Sequence, residues 1–341
     1  MLSRAVVGLI ALTVGLVAGT PRVEAGSRAA SVPRKDFEIF SVRLDGNARR
    51  NLSRSPLEDQ DPAPSPNGRR ILFSRGSRSS LDYPRNGLWL MNADGSGQRK
   101  VPGTERLGGQ VWSPDGARVA LTMSSWTPPY GYKVVVLRLA DGQMTTIEDA
   151  SNPTWAPDGK RLVFLSDPIT SFRAGFRNLS VADSDGANRR VVFTKEEGIN
   201  SEPVWSTHGS LVAETFHDDS LHVIDMETGQ ERLVARRGWN PAWSPDGLRL
   251  AFARYTGICL TRVGQSGTRL LVSSRNGSIT PRRPIWSPDG RSIAFITKHQ
   301  LRVVDVASRR FRVVTQSRTG FSAPVWSPNG RRLYFAARLP A

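Results

Sequence analysis

A Trp-Ser-Pro-Asp-Gly motif returns along this chain at intervals that few folds can accommodate. Clear copies begin at Trp112, Trp155 (Ala replacing Ser), Trp243, Trp286 and Trp326 (Asn replacing Asp). Trp205-Ser-Thr-His-Gly209 is a degenerate copy, and Pro64-Ser-Pro-Asn-Gly68 keeps the turn without its Trp. The seven anchors stand 38 to 50 residues apart. Such a period belongs to repeat architectures, where one unit cannot bury its apolar face alone and its neighbours complete the core. Each copy reads as strand, turn, strand. Pro fixes φ for a tight turn and Gly accepts a positive φ. Alternating apolar residues follow: Ile71 and Phe73, Val119 and Leu121, Leu162 and Phe164, Leu250 and Phe252, Ile293 and Phe295, Leu333 and Phe335. A period of two predicts a strand with one buried face.

A second hairpin follows most copies, turning at Asp94-Gly95, Asp141-Gly142, Asp185-Gly186, Thr228-Gly229, Ser266-Gly267 and Ser308-Arg309. Four strands per copy make one blade of a propeller. The last copy has only two strands before Ala341, whereas residues 36–54 form an unmatched hairpin. The two halves complement one another: residues 322–338 should supply the inner strands and 36–54 the outer strands of one shared blade, which hides two sheet edges. The expected fold is all-β, a seven-bladed β-propeller forming a single domain over residues 36–341.

The motifs resemble the TolB-like propeller repeat, a relative of the WD repeat whose hallmark is a Trp-Ser-Pro-Asp-Gly turn followed by an apolar strand. The resemblance covers roughly residues 36–341. The family's namesake has an additional N-terminal α/β domain and six blades, and prolyl-oligopeptidase relatives set a similar propeller beside a hydrolase domain. This sequence leaves almost nothing between its leader and its first strand, and no hydrolase domain is apparent. The resemblance therefore implies the propeller fold without those additional domains.

Residues 1–25 read as a secretory signal peptide: a basic start ending at Arg4, an apolar run from Ala5 to Gly19, and Val23-Glu24-Ala25 as the small-residue cleavage site. The apolar run is short for a membrane span of about 20 residues, so no transmembrane span is expected after cleavage, with retention as an anchor the alternative. Residues 26–35 form a linker. An exported protein, periplasmic or extracellular, is expected. The single cysteine, Cys259, excludes an internal disulfide, and stability must come from packing. A small buried apolar role suits it.

In a blade of four antiparallel strands A to D, the A–B and C–D turns share one face of the ring, and the B–C and D–A connections share the other. The Pro-Asp-Gly and Asp-Gly turns are short and read as structural. Variation concentrates on the opposite face, where loops carry function without disturbing the scaffold. Three connections there are long, Ser77–Arg85, Ser124–Lys133 and Ser166–Arg177. They hold Tyr83, Arg85, Trp126, Tyr130, Tyr132, Phe172, Arg173 and Phe176, residue types that dominate binding hot spots. These eight form the candidate recognition surface; the alternative is that the loops fold back to cover blade edges.

Three of the four histidines, His208, His217 and His222, lie in the degenerate fourth copy with Glu214, Asp218 and Asp219. His217, Asp219 and His222, with Glu214, are weak metal-ligand candidates, since the spacing permits convergence without requiring it. A solvated acidic hairpin is the alternative. Propeller lyases acting on uronate oligosaccharides use His-bound metal, but no matching motif stands out. Asp183-Ser-Asp185-Gly lacks the closing Glu of a calcium loop and reads as a turn. No Gly-x-Ser-x-Gly elbow and no phosphate loop is present. Catalysis and cofactors are therefore not expected.

The formal net charge is +17 from 47 Lys+Arg against 30 Asp+Glu. Many Arg begin the strand after the second turn: Arg49-Arg50, Arg99, Arg189-Arg190, Arg232, Arg269 and Arg312. Repeated around the ring, they would make a basic rim able to attract acidic glycans or other anionic surfaces, more weakly as salt rises. Nucleic acid is an unexpected partner for an exported protein. The expected function is a monomeric, non-enzymatic scaffold for a protein partner in the bacterial envelope or outside it. The alternative is a binder of acidic polysaccharide, extending to a metal-assisted lyase.

Overall fold

The computed structural model describes residues 37–76, 87–125, 131–168, 176–199, 202–265, 267–274, 282–322 and 324–338. The leader and linker readings lie outside them. The described residues contain strands and turns and no helix, and the strands form seven four-stranded antiparallel sheets. The first strands of blades 1 to 7 are Glu58–Pro64, Leu107–Trp112, Ala150–Trp155, Val204–Trp205, Trp239–Trp243, Arg282–Trp286 and Val325–Trp326. Each touches the first strand of the next blade, and the seventh touches the first, so they form the inner wall of a closed ring.

Blade 7 is shared as expected. Its sheet runs Arg50–Asn51, Phe37–Arg43, Arg332–Arg338, Val325–Trp326. The two middle strands pair from Phe37↔Arg338 to Arg43↔Arg332, with Phe40 and Phe335 stacked at 5.7 Å. The second apolar residue after each turn is a fully buried Phe in five blades, Phe73, Phe164, Phe252, Phe295 and Phe335. Each contributes on the order of 1.5–3 kcal/mol by burial. They fill the spaces between adjacent sheets.

The repeated motif joins blade to blade. Trp112 Nε1 donates to Ala63 O (2.9 Å), Trp155 to Val111 O (3.1 Å), Trp243 to Val204 O (2.9 Å), Trp286 to Ala242 O (3.0 Å) and Trp326 to Ile285 O (3.2 Å). Each acceptor belongs to the inner strand of the preceding blade. Arg118 and Arg249, at the start of second strands, lie over Trp155 and Trp286 of the following blade at 4.9 and 4.6 Å. The turn glycines also face backwards: Gly116 faces Pro66 and Gly159 faces Pro114, with φ +71° and +66°. A side chain there would be strained and would meet the proline ring 3.5 Å from its Cβ.

Two junctions depart from this pattern. Trp205 Nε1 donates to Gly209 O of its own turn (3.1 Å), and a Cβ at Gly209 would meet nothing within 4 Å, so the seam between blades 3 and 4 lacks both links. At the closing seam Pro64 replaces the Trp and has no donor. A buried polar network stands there instead. Arg75 binds Asp59 through two bonds, at 2.6 and 2.9 Å, and Gln98 at 2.9 Å, and lies 4.4 Å over the Trp89 ring. Gln98 reaches across to Leu52 O and Ser53 O, and Ser53 Oγ donates to Glu38 of blade 7. Burial pushes the Glu38 and Asp59 carboxyls up, against the hydrogen bonds from Ser53 and Arg75 respectively.

Candidate functional site

The short turns of the Pro-Asp-Gly face are internally satisfied. Ser113 Oγ donates to Asp115 Oδ1 (2.5 Å) and Ser287 Oγ to Asp289 Oδ1 (2.5 Å), while the same oxygens accept the amides of Ala117 and Arg291. Those hydroxyl bonds, with the backbone amides, hold both carboxyls below their ordinary range. Asn67 and Asn329 accept the equivalent bonds from Ser65 and Ser327. Their polar groups are used within the turn, as a structural role requires.

On the opposite face, Tyr83, Arg85, Trp126, Tyr130, Phe172 and Arg173 lie outside the described residues. Phe176 opens a strand and its backbone pairs with Pro168 and Ile199. Tyr132 is partly buried and packs on the cluster of Ile199, Trp205 and Phe216, so part of its ring serves the core.

Sequence reasoning missed a group on the same face of blade 5. Tyr255, 65% exposed at the tip of the B–C turn, meets Trp239 edge-on with centroids 4.6 Å apart. Trp239 starts the inner strand, and the exposed Arg236 and Arg237 precede it in the D–A link. Arg254 Nε donates to Arg237 O (2.8 Å), which fixes the link against the turn. An exposed phenol, a supported indole edge and two guanidiniums without side-chain partners among the described residues can combine apolar contact with charge-assisted bonds. The sequence trace is Arg236-Arg-Gly-Trp239 and Tyr255, which lie in or beside short connections that loop length does not single out.

The proposed basic rim is partly consumed by the fold. Arg49 stacks on Phe40 at 4.4 Å and donates to Gln316 O of blade 6, and burial lowers its pKa. Arg189 donates to Glu148 O and Asp149 O of blade 2, Arg190 to Met226 O of blade 4, and Arg232 to Gln265 O of blade 5. Arg50, Arg99, Arg269 and Arg312 are exposed and have no such bond among the described residues.

In blade 4, His222 is buried, with Nδ1 2.5 Å from Glu231 Oε1, Nε2 2.7 Å from Ser220 Oγ and its ring stacked on Phe216 at 4.3 Å. Burial pulls its imidazole pKa down, with Glu231 acting in the other direction. Glu214 pairs with it across the strands, while His217 and Asp219 stand in the turn. Among the described residues no group of three or more His, Cys, Asp or Glu could hold a metal ion. Asp183 and Asp185 cap their own turn by accepting from Asn188 and Ala187. Cys259 is buried, and burial pushes its thiol up.

No family model matches the chain. It is 30% identical over 133 residues to a TolB homolog of Chlorobium luteolum, covering 36% of this chain and 29% of that protein. It is 31% identical over 93 residues to an uncharacterized protein of Agrobacterium fabrum, covering 25% and 31%. The chain thus spans about a third of the length of the curated relatives it matches. Among solved structures, it is similar to a TolB candidate of Agrobacterium tumefaciens (TM-score 0.57, 16% identity, 90% of this chain and 99% of that one). It is also similar to an oligogalacturonate lyase of Vibrio parahaemolyticus (TM-score 0.67, 13% identity, 90% and 97%). Identities this low carry the fold alone. With its closed ring of seven sheets, the chain has a β-propeller fold, and in its turn motif and in the segment it shares with the Chlorobium protein it is similar to TolB.

Proposed function

We propose that this propeller is an exported, non-enzymatic interaction module that presents its B–C and D–A face to a protein partner in the bacterial envelope or outside it. The observation that carries the reading is the Tyr255–Trp239 pair beside Arg236 and Arg237, an exposed aromatic and basic group on a rigid ring. Interfaces draw most of their energy from a few such side chains. Tyr83, Arg85, Trp126, Tyr130, Tyr132, Phe172, Arg173 and Phe176 belong by sequence to connections of the same face and extend the proposed surface. Cross-linking and mass spectrometry on native envelope is the test. Cross-links should concentrate on this face, and Y255A with W126A should remove the cross-linked partner. Retention of every partner by that variant sinks the reading.

A second reading, binding of acidic polysaccharide, is favoured by the exposed Arg50, Arg99, Arg269 and Arg312 and by the likeness to the oligogalacturonate lyase fold. It predicts retention on heparin that weakens with salt and falls in an R99Q/R269Q/R312Q variant. Its lyase extension predicts unsaturated uronate ends after incubation with oligogalacturonate. Retention unchanged by the three substitutions counts against the rim.

A further inference from the structure

The ring's axis carries a polar girdle that neither reading uses. Five inner strands bulge at one place, three residues before the Trp position, and the bulged residue is left-handed: Asp61 (φ 52°), Gly109 (φ 64°), Asn152 (φ 52°), Asn240 (φ 51°) and Arg283 (φ 50°). Glu202 holds the corresponding position in blade 4. Asp, Asn and Gly are the residues that adopt this conformation readily, and Arg283 is the exception. A cavity of about 760 Å³ is lined by inner-strand residues of blades 3 to 7, which places it on the axis. Asn152, Glu202, Asn240 and Arg283 are on its wall, and Trp205, Trp243 and Trp286 give it aromatic surface.

The chemistry of this wall is mixed in sign. Among the described residues the Arg283 guanidinium has no hydrogen bond or ion pair, and neither does the Asn240 amide. Loss of hydration raises the Asp61 carboxyl, and the positive charge of Arg283 works against that rise. A lone guanidinium fork matches a carboxylate in two parallel bonds. The Glu202 carboxylate on the wall would repel a purely anionic ligand and accept an ammonium. The cavity lies within the ~300–1,000 Å³ of small-molecule sites. We propose that the axial cavity binds a small zwitterion, an amino acid or dipeptide, with its carboxylate on Arg283 and its ammonium on Glu202. This goes beyond partner recognition on the outer face and stands independently of it.

The probe is the dipeptide Ala-Phe, with its N-acetyl and C-amide derivatives, titrated calorimetrically into the full-length protein. Free Ala-Phe should bind, and acetylation or amidation should each weaken binding at least about tenfold, the effect of losing one charge-assisted pair. R283N keeps the bulge, since Asn occupies that place in blades 3 and 5. It should bind free and amidated peptide alike, and E202Q should lose the discrimination against the acetylated one. If R283N does not fold, E202Q alone decides. No heat with free amino acids or Ala-Phe at millimolar concentration, or equal binding of all three peptide forms, overturns the assignment.

Discussion

W286F and W205F make the same chemical change at two seams whose tryptophans are linked differently to the neighbouring blade. Trp286 is 7% exposed, gives its Nε1–H to the half-buried Ala242 carbonyl across the blade 5–6 seam at 3.0 Å, and lies under Arg249 at 4.6 Å. Removing the donor loses a net ~0.5–1.5 kcal/mol, and more where the abandoned carbonyl is poorly reached by water. Exchanging indole for phenyl removes about 40 Å² of apolar contact, or roughly 1 kcal/mol. The loss for W286F should therefore be about 2–3 kcal/mol. Trp205 is as buried at 5%, but its donor goes to Gly209 of its own exposed turn, where water can replace it, and its Arg partner is 5.7 Å away. W205F should lose only about 1 kcal/mol. Urea unfolding reads both losses, and hydrogen exchange should show the inner strand Trp239–Trp243 opening in W286F. Equal losses, or unchanged exchange in that strand, would refute the view that these tryptophans act as links between blades.

Three further outcomes follow from the same physics. The folded-state pKa values of Asp115 and Asp289 are depressed, so their stabilisation is present above the unfolded carboxylate pKa and is lost as pH falls through the folded value. D115N/D289N, which copies the turns at Asn67 and Asn329, should flatten the acid limb of a thermal-melt pH profile. Glu38 and Asp59 have the opposite sign: their raised pKa values give a contribution present below the unfolded pKa and lost as pH rises through the folded one, so E38Q should weaken that opposing trend. R75M leaves Asp59 buried without its partner and should cost about 3–5 kcal/mol, measured by chemical unfolding.

Much of the ring was legible because its determinants are local and repeated. Pro-Asp-Gly turns, the alternation Ile71/Phe73 through Leu333/Phe335, and the complementary half-blades at 36–54 and 322–338 announced strand number and closure. The departures were visible as residues but not as consequences. Pro64 showed a missing donor, yet the Glu38–Asp59–Arg75 network replacing it joins positions whose proximity exists only after closure. The basic rim was read from Arg spacing alone. A guanidinium on a long stem can reach a neighbouring carbonyl, as Arg189 and Arg190 do, and no periodicity reports where it lands. Tyr255 lies in a short turn and Trp239 at the start of a strand, and no feature of length or spacing marks either residue in the sequence. The axial girdle had a sequence trace, the Asp, Gly, Asn, Glu, Asn, Arg series three residues before each Trp position, but without the bulge nothing turns that series towards a common axis.

Faces, axis and cavity all depend on the pairing of Phe37–Arg43 with Arg332–Arg338. Arg43 and Arg332 are directly opposite in that ladder and reach the surface, so an R43C/R332C variant places two thiols in register near the two ends of the sequence. Mild oxidation followed by peptide mass spectrometry should recover those two peptides joined as the dominant disulfide in the folded monomer. Recovery of both thiols free, or a cross-link only between separate molecules, would contradict closure of the ring through a shared blade.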